Sequence, residues 1–118
     1  MPEVFNPVSV EAAIRECANR IANGVTECNR RYVAFLEADH ALDIAYARAW
    51  AADSGPANGK RYTCELATID LRKARDVADA MYRHADRQAK ALESELRAWQ
   101  SVNKSVMGAY QTAGTGER

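Results

Sequence analysis

An all-α chain, folded as a long antiparallel helical hairpin that oligomerises, is what these 118 residues predict. Three observations carry that expectation. Proline occurs only at positions 2, 7 and 56, in a chain rich in alanine. Alanine loses no side-chain entropy in a helix, whereas proline breaks its hydrogen-bond ladder. Apolar residues step alternately by four and three, the spacing of a helix that packs along one side. Lastly, one cluster of turn formers, "DSGPANGK" at 53–60, interrupts the chain near its middle.

Residues 1–8 read as an extended arm, because Pro7 disfavours helix at Asn6. Ser9 is the expected N-cap, with Glu11 placed to meet the positive end of the helix dipole. The first seam runs through Ile14, Ala18, Ile21, Val25, Cys28, Tyr32, Phe35, Asp39, Leu42, Tyr46 and Ala49. Asn23-Gly24 would ordinarily read as a turn. The seam keeps its phase across that pair, so one helix is expected from about 9 to 53, with Gly24 costing roughly 1 kcal/mol against alanine.

The turn is expected at 54–60, and a second helix from about 62 to 111. Its seam reads Leu71, Ala74, Ala78, Met81, Ala85, Gln88, Leu92, Leu96, Trp99, Asn103, Val106 and Tyr110. Gln88, Leu92 and Leu96 stand four apart twice, a stutter that locally relaxes a supercoil. Residues 112–118 read as a flexible tail, leaving 9–111 as one hairpin domain. Two such arms, each on the order of 65 Å long, enclose little interior. Leu36, Val33, Tyr46, Trp50, Val77 and Tyr82 lie partly off the seams and are expected to stay wet. Exposed apolar area on this scale marks a partner surface, hence the expected self-association.

Sixteen basic and sixteen acidic side chains cancel, so no global field draws the protein to nucleic acid or to a membrane. An electrostatic partner must be chosen by local segregation of charge. Cys17, Cys28 and Cys64 form an odd set without a CxxC pair, which fits a reducing cytoplasm better than a disulfide framework. The start, "MPEVFNPVSV", lacks the basic and apolar regions of a secretory signal, and no window has the roughly 20 apolar residues of a membrane span. A soluble cytoplasmic protein is the resulting expectation.

One row of charge does segregate. Arg83, Arg87, Lys90, Ser94, Arg97, Ser101 and Lys104 succeed one another by four or three residues, and so form one stripe on a helix. Asp79, Asp86 and Glu93 run along a different line. Arg72, Lys73 and Arg75 lie upstream, Arg30-Arg31 stand on the other arm, and Lys60-Arg61 join Trp50 and Tyr62 at the tip of the hairpin. Cations with hydroxyls suit phosphate, which they hold without reading a base sequence. The plainer reading is a solvated helix face laced with salt bridges. Trp50, Tyr62 and Tyr82 are candidates for stacking on unpaired bases, whereas Tyr32, Tyr46, Trp99 and Tyr110 at seam spacing read as core.

Polar residues inside the seams need partners. Folding about position 57 sets Asp39 opposite Arg75 with Arg72 a turn away, so an ion pair fixing register is expected there. Gln88 and Asn103 are register residues of the same kind. Catalysis finds no constellation. His40 and His84 are about ten residues out of register in the hairpin, and neither a metal-ligand spacing nor a glycine-rich phosphate loop is present. No enzyme activity, cofactor or metal is expected.

The long helix ending in "ALDIAYARAW", a glycine-bearing turn, and "LRKARDVADAMYRHADRQAKALESELRAWQSVNKSV" together resemble the UvsY-type recombination mediators of tailed phages and their small relatives. The likeness covers roughly residues 35 to 110. It implies single-stranded DNA binding, a ring-like oligomer, and help in loading a recombinase. By position it assigns DNA contact to Lys60, Arg61, Arg72, Lys73 and Arg75. The expected function is thus a phage-type accessory protein that oligomerises and binds single-stranded DNA in recombination or replication. Its expected partners are itself, single-stranded DNA, and a recombinase or other replication protein. The alternatives are a coiled-coil adaptor that binds only protein, and a small regulator of a host protein.

Overall fold

The computed structural model describes residues 6–116, and these are helical almost throughout. Helix α1 spans Pro7–Ala52, α2 Ala57–Ala67 and α3 Ile69–Gly116. The chain is an all-α helical hairpin. By its internal contacts it divides into two units, one pairing the residues up to Thr26 with those from Arg87 onward, the other being Glu27–Asp86.

α1 begins earlier than Ser9. Asn6 is the cap: its Oδ1 accepts the Ser9 N–H at 2.9 Å, and the Ser9 hydroxyl donates back to the Asn6 carbonyl at 3.1 Å. Pro7 then takes the first helical position, where its missing N–H costs nothing. Of the expected arm, residues 1–5 lie outside the described residues, while Pro7 and Val8 belong to α1. α1 continues unbroken through Asn23-Gly24. No glycine among the described residues has positive φ.

The turn is shorter than 54–60. Only Asp53–Pro56 leave the helix. The Asp53 carboxylate accepts the Gly55 N–H at 2.8 Å, closing a local turn. Pro56, at φ −66 and ψ 153, then launches α2, so that Asn58-Gly59 is helical rather than a bend. A second correction lies at Thr68, where the expected single helix divides. Its hydroxyl donates to the Cys64 carbonyl at 2.7 Å, beside its own N–H at 3.1 Å on the same oxygen. Back-bonding of this kind bends helices, and it also satisfies a side chain that is only 1% exposed. At the other end α3 stays helical to Gly116 in place of the expected tail from 112, and residues 117–118 lie outside the described residues.

In the Glu27–Asp86 unit the core is Leu42, Cys64 and Ala85, with Thr68 beside them. Cys28, Phe35, Ala38, Ala45, Ala49, Ala78 and Tyr82 are half-buried around it. Tyr32 and Tyr82 meet with ring centroids 5.1 Å apart, and Arg75 Nη1 lies 3.6 Å from Asp39 Oδ1. Both contacts fit antiparallel pairing about position 57. In the other unit Val10 and Cys17 are buried, and Ile14, Ile21, Gly24, Ala89, Leu92, Leu96, Trp99, Asn103 and Val106 are half-buried. The Cys17 thiol donates to the Leu92 carbonyl at 3.3 Å.

The seams are therefore rotated from the expected ones. On α1, Ile14, Ile21, Cys28, Phe35, Leu42 and Ala49 face inward as expected. Their companions are Cys17, Gly24, Arg31, Ala38 and Ala45, while Ala18, Val25 and Tyr32 are exposed. On α3, Leu71, Ala74, Met81, Gln88 and Tyr110 are exposed, and Ala89 takes the place of Gln88. Inward positions 85, 89, 92, 96 and 99 alternate by four and three, so the stutter is absent. Both choices of companion keep a legal heptad. In the observed one, Cys17 and Arg31 each donate to a carbonyl on the facing helix.

Candidate nucleic-acid and partner-binding surfaces

The hairpin tip, within the Glu27–Asp86 unit, gathers aromatic and basic side chains. Tyr46 and Trp50, one turn apart on α1, stack with centroids at 6.4 Å and planes at 24°. Lys60 Nζ sits 5.3 Å from the Trp50 ring centroid, within cation–π range. Trp50 therefore has ring neighbours inside the chain, which leaves less of it for a base. Tyr82, the second stacking candidate, packs on Tyr32 and is half-buried. Tyr62 stays 65% exposed.

Several of the candidate cations already hold carboxylates. Arg61 Nε is 3.2 Å from Glu65, and Arg83 Nε is 3.1 Å from Asp79. Arg75 bridges Asp39 and Asp76. Lys73 is exposed. Arg72 is half-buried between two hollows. One, of about 340 Å³, is lined by Tyr62, Glu65, Leu66, Ile69 and Arg72. The other, of about 310 Å³, is lined by Leu42, Asp43, Tyr46, Ala47, Arg72 and Arg75. The first offers an apolar floor with one charge of each sign. In the second, Arg75 is already held by Asp39 and Asp76, and Arg72 shares the lining with Asp43.

In the other unit the row along α3 is open to solvent: Arg87, Lys90, Ser94, Arg97, Ser101 and Lys104 are all exposed. Arg97 donates to the Ser94 hydroxyl at 3.2 Å, one turn away. Asn103, read as a register residue, is half-buried there. Gln88 is exposed, which removes the seam position on which its expected register role depended.

Arg30 and Arg31, expected as part of the basic surface, are instead gathered by Glu27 on their own helix. Glu27 accepts Arg30 Nη2 at 2.6 Å and Arg30 Nε at 2.9 Å, together with Arg31 Nε at 2.7 Å. Hydrogen bonds from Arg30 first, then from Arg31, hold its carboxyl down from an ordinary 4.5 to about 2. Arg31 also donates from Nη1 to the Met81 carbonyl at 3.0 Å, tying α1 to α3. The signal was the spacing of Glu27 three and four residues before adjacent arginines, a strong helical ion-pair pattern.

Burial first, and then nearby Glu95, push the Cys17 thiol up from its ordinary value. A protonated, buried thiol is a poor nucleophile. Among the described residues, no group of three His, Cys, Asp or Glu side chains could hold a metal ion. No helix among them is long and apolar enough to cross a membrane. Comparison with protein-family models, with curated proteins and with solved structures returns no match.

Proposed function

We propose that this chain is a self-assembling helical-hairpin scaffold that engages its partners through helix faces. One observation carries the reading. Among the described residues only Val10, Cys17, Leu42, Cys64 and Ala85 form buried apolar core, whereas fourteen large apolar side chains stay exposed. Those exposed include Tyr62, Leu66, Val77 and Val25, each 60% or more open to solvent. Apolar surface left open in this proportion is what an assembly covers. Sedimentation at micromolar concentration should give a multiple of the 13.0 kDa chain mass. A single-chain mass with helicity retained would overturn the reading.

Single-stranded DNA binding is the second reading, and the exposed row from Arg87 to Lys104 supports it. The resemblance to UvsY-type mediators joins the same two properties, assembly and DNA binding, with a recombinase or other replication protein as the further partner. It stands second because Arg61, Arg75 and Arg83 already pair with carboxylates and Trp50 already has ring neighbours.

A further inference from the structure

We infer that two copies of this chain pack on each other across the α2–α3 face centred on Ile69, as a twofold antiparallel helix pair. The inference rests on the scaffold reading and names the surface that reading requires. Tyr62, Leu66 and Ile69 are 65%, 72% and 44% exposed. Tyr62 and Leu66 lie on α2 and Ile69 opens α3 across the Thr68 junction, and with Glu65 and Arg72 they line one groove of about 340 Å³. Lys73 and Asp76 follow Ile69 on α3 in steps of four and three residues and are exposed.

The pattern of charge on this face selects its own copy as occupant. A twofold axis brings residue i of one copy to residue j of the other, and j to i. With the axis at Ile69, Glu65 meets Lys73 of the second copy, and Leu66 meets the aliphatic stem of its Arg72. Tyr62 meets its Asp76, to which the phenol can donate. Each of these layers occurs twice, and Ile69 meets Ile69 at the centre. Every layer pairs acid with base, apolar with apolar, or hydroxyl with carboxylate.

Other registers lose this match. Moving the axis one turn toward the C-terminus sets Arg72 against Lys73 and Ile69 against Asp76. Moving it one turn the other way sets Glu65 against Leu66 and leaves Lys73 without an acid. Opposite charges thus specify the register, as flanking charges do in coiled coils. Glu65 and Asp76 each hold an arginine of their own helix at 3.2 Å through one oxygen.

Two measurements on the full-length chain test this. Ile69→Cys, made in a Cys28→Ser background because Cys28 is half-buried whereas Cys17 and Cys64 are buried, should give with a mild copper oxidant a reductant-sensitive crosslinked dimer that the Cys28→Ser chain alone does not give. Glu65→Lys and Lys73→Glu should each raise the dissociation constant of the assembly by about tenfold, and the two together should restore it. An assembled Ile69→Cys chain that does not crosslink overturns the proposal, and so do single charge variants that assemble like the wild type. In either case the oligomeric mass stands, and only this surface is lost. A wild type that sediments as a single chain overturns both this surface and the scaffold reading.

Discussion

Glu27 shows how much a single carboxylate can organise. It binds two adjacent arginines, and one of these reaches the Met81 carbonyl on α3. Because the folded-state pKa is depressed to about 2, the ionised form contributes stability that is present above the ordinary value near 4.5. That contribution is lost as pH falls from there toward 2. Glu27→Gln should therefore melt below the wild type at pH 6, and the gap should narrow on going to pH 2.5, as read by circular dichroism. An equal gap at both pH values would mean that the cluster stabilises through packing alone. The Asp39–Arg75 pair was legible in the sequence, because a carboxylate in a seam needs a partner and the turn position supplies one. Arg31 was not. Hydropathy sends an arginine to the surface, and only the facing carbonyl allows it an inward place.

At the scale of the elements, periodicity carried far and flank choice did not. Shared positions such as Ile14, Ile21, Phe35, Leu42, Ala85 and Leu92 belong to both the expected and the observed seams. The choice between Val25 and Gly24, or between Gln88 and Ala89, depends on what lies opposite, which one helix cannot report. Thr68 escaped for a related reason. Threonine in a helix is ordinary until its hydroxyl turns back onto a carbonyl. Gly24 gives the test at this scale. It lies inside unbroken α1, its φ is helical, and an added Cβ would find nothing within 4 Å. Gly24→Ala should consequently stabilise the chain by about 1 kcal/mol. Chemical denaturation would register this as a higher midpoint at unchanged slope. No gain would mean that α1 bends at Gly24 in solution.

For the whole molecule the deciding quantity is charge, which sums to zero and is arranged locally. Composition made the helical class and the helix count nearly readable, because three prolines and one loop leave few ways to break the chain. The function of the basic row is harder to read, since a phosphate-binding face and a solvated face contain the same residues at the same spacing. Salt separates them. If Arg87, Lys90 and Arg97 hold phosphates, each contact adds about 0.7 to the slope of log affinity against log salt on a single strand. Three contacts then weaken oligonucleotide binding roughly 20-fold for a fourfold rise in salt. Replacing all three with Gln should flatten that slope without changing helicity or mass, because the row is exposed. Absence of any binding at low salt would leave the row a wet face, and the protein-only scaffold would stand alone.

The loop of Asp53–Pro56 has a kinetic consequence. Every pairing between α1 and α3 closes a chain segment around those residues, and the segment lengthens with distance from them. Asp39–Arg75 closes about half the length that Cys17–Leu92 does, the latter two being 75 residues apart in sequence. Doubling a closed loop costs only about 0.6 kcal/mol more. Contacts next to the loop thus have a small entropic lead over distant ones, and each pairing once made shortens the segment that the next must close. A search that opens at the loop and advances by short steps belongs to the fast end of folding, where local contacts dominate.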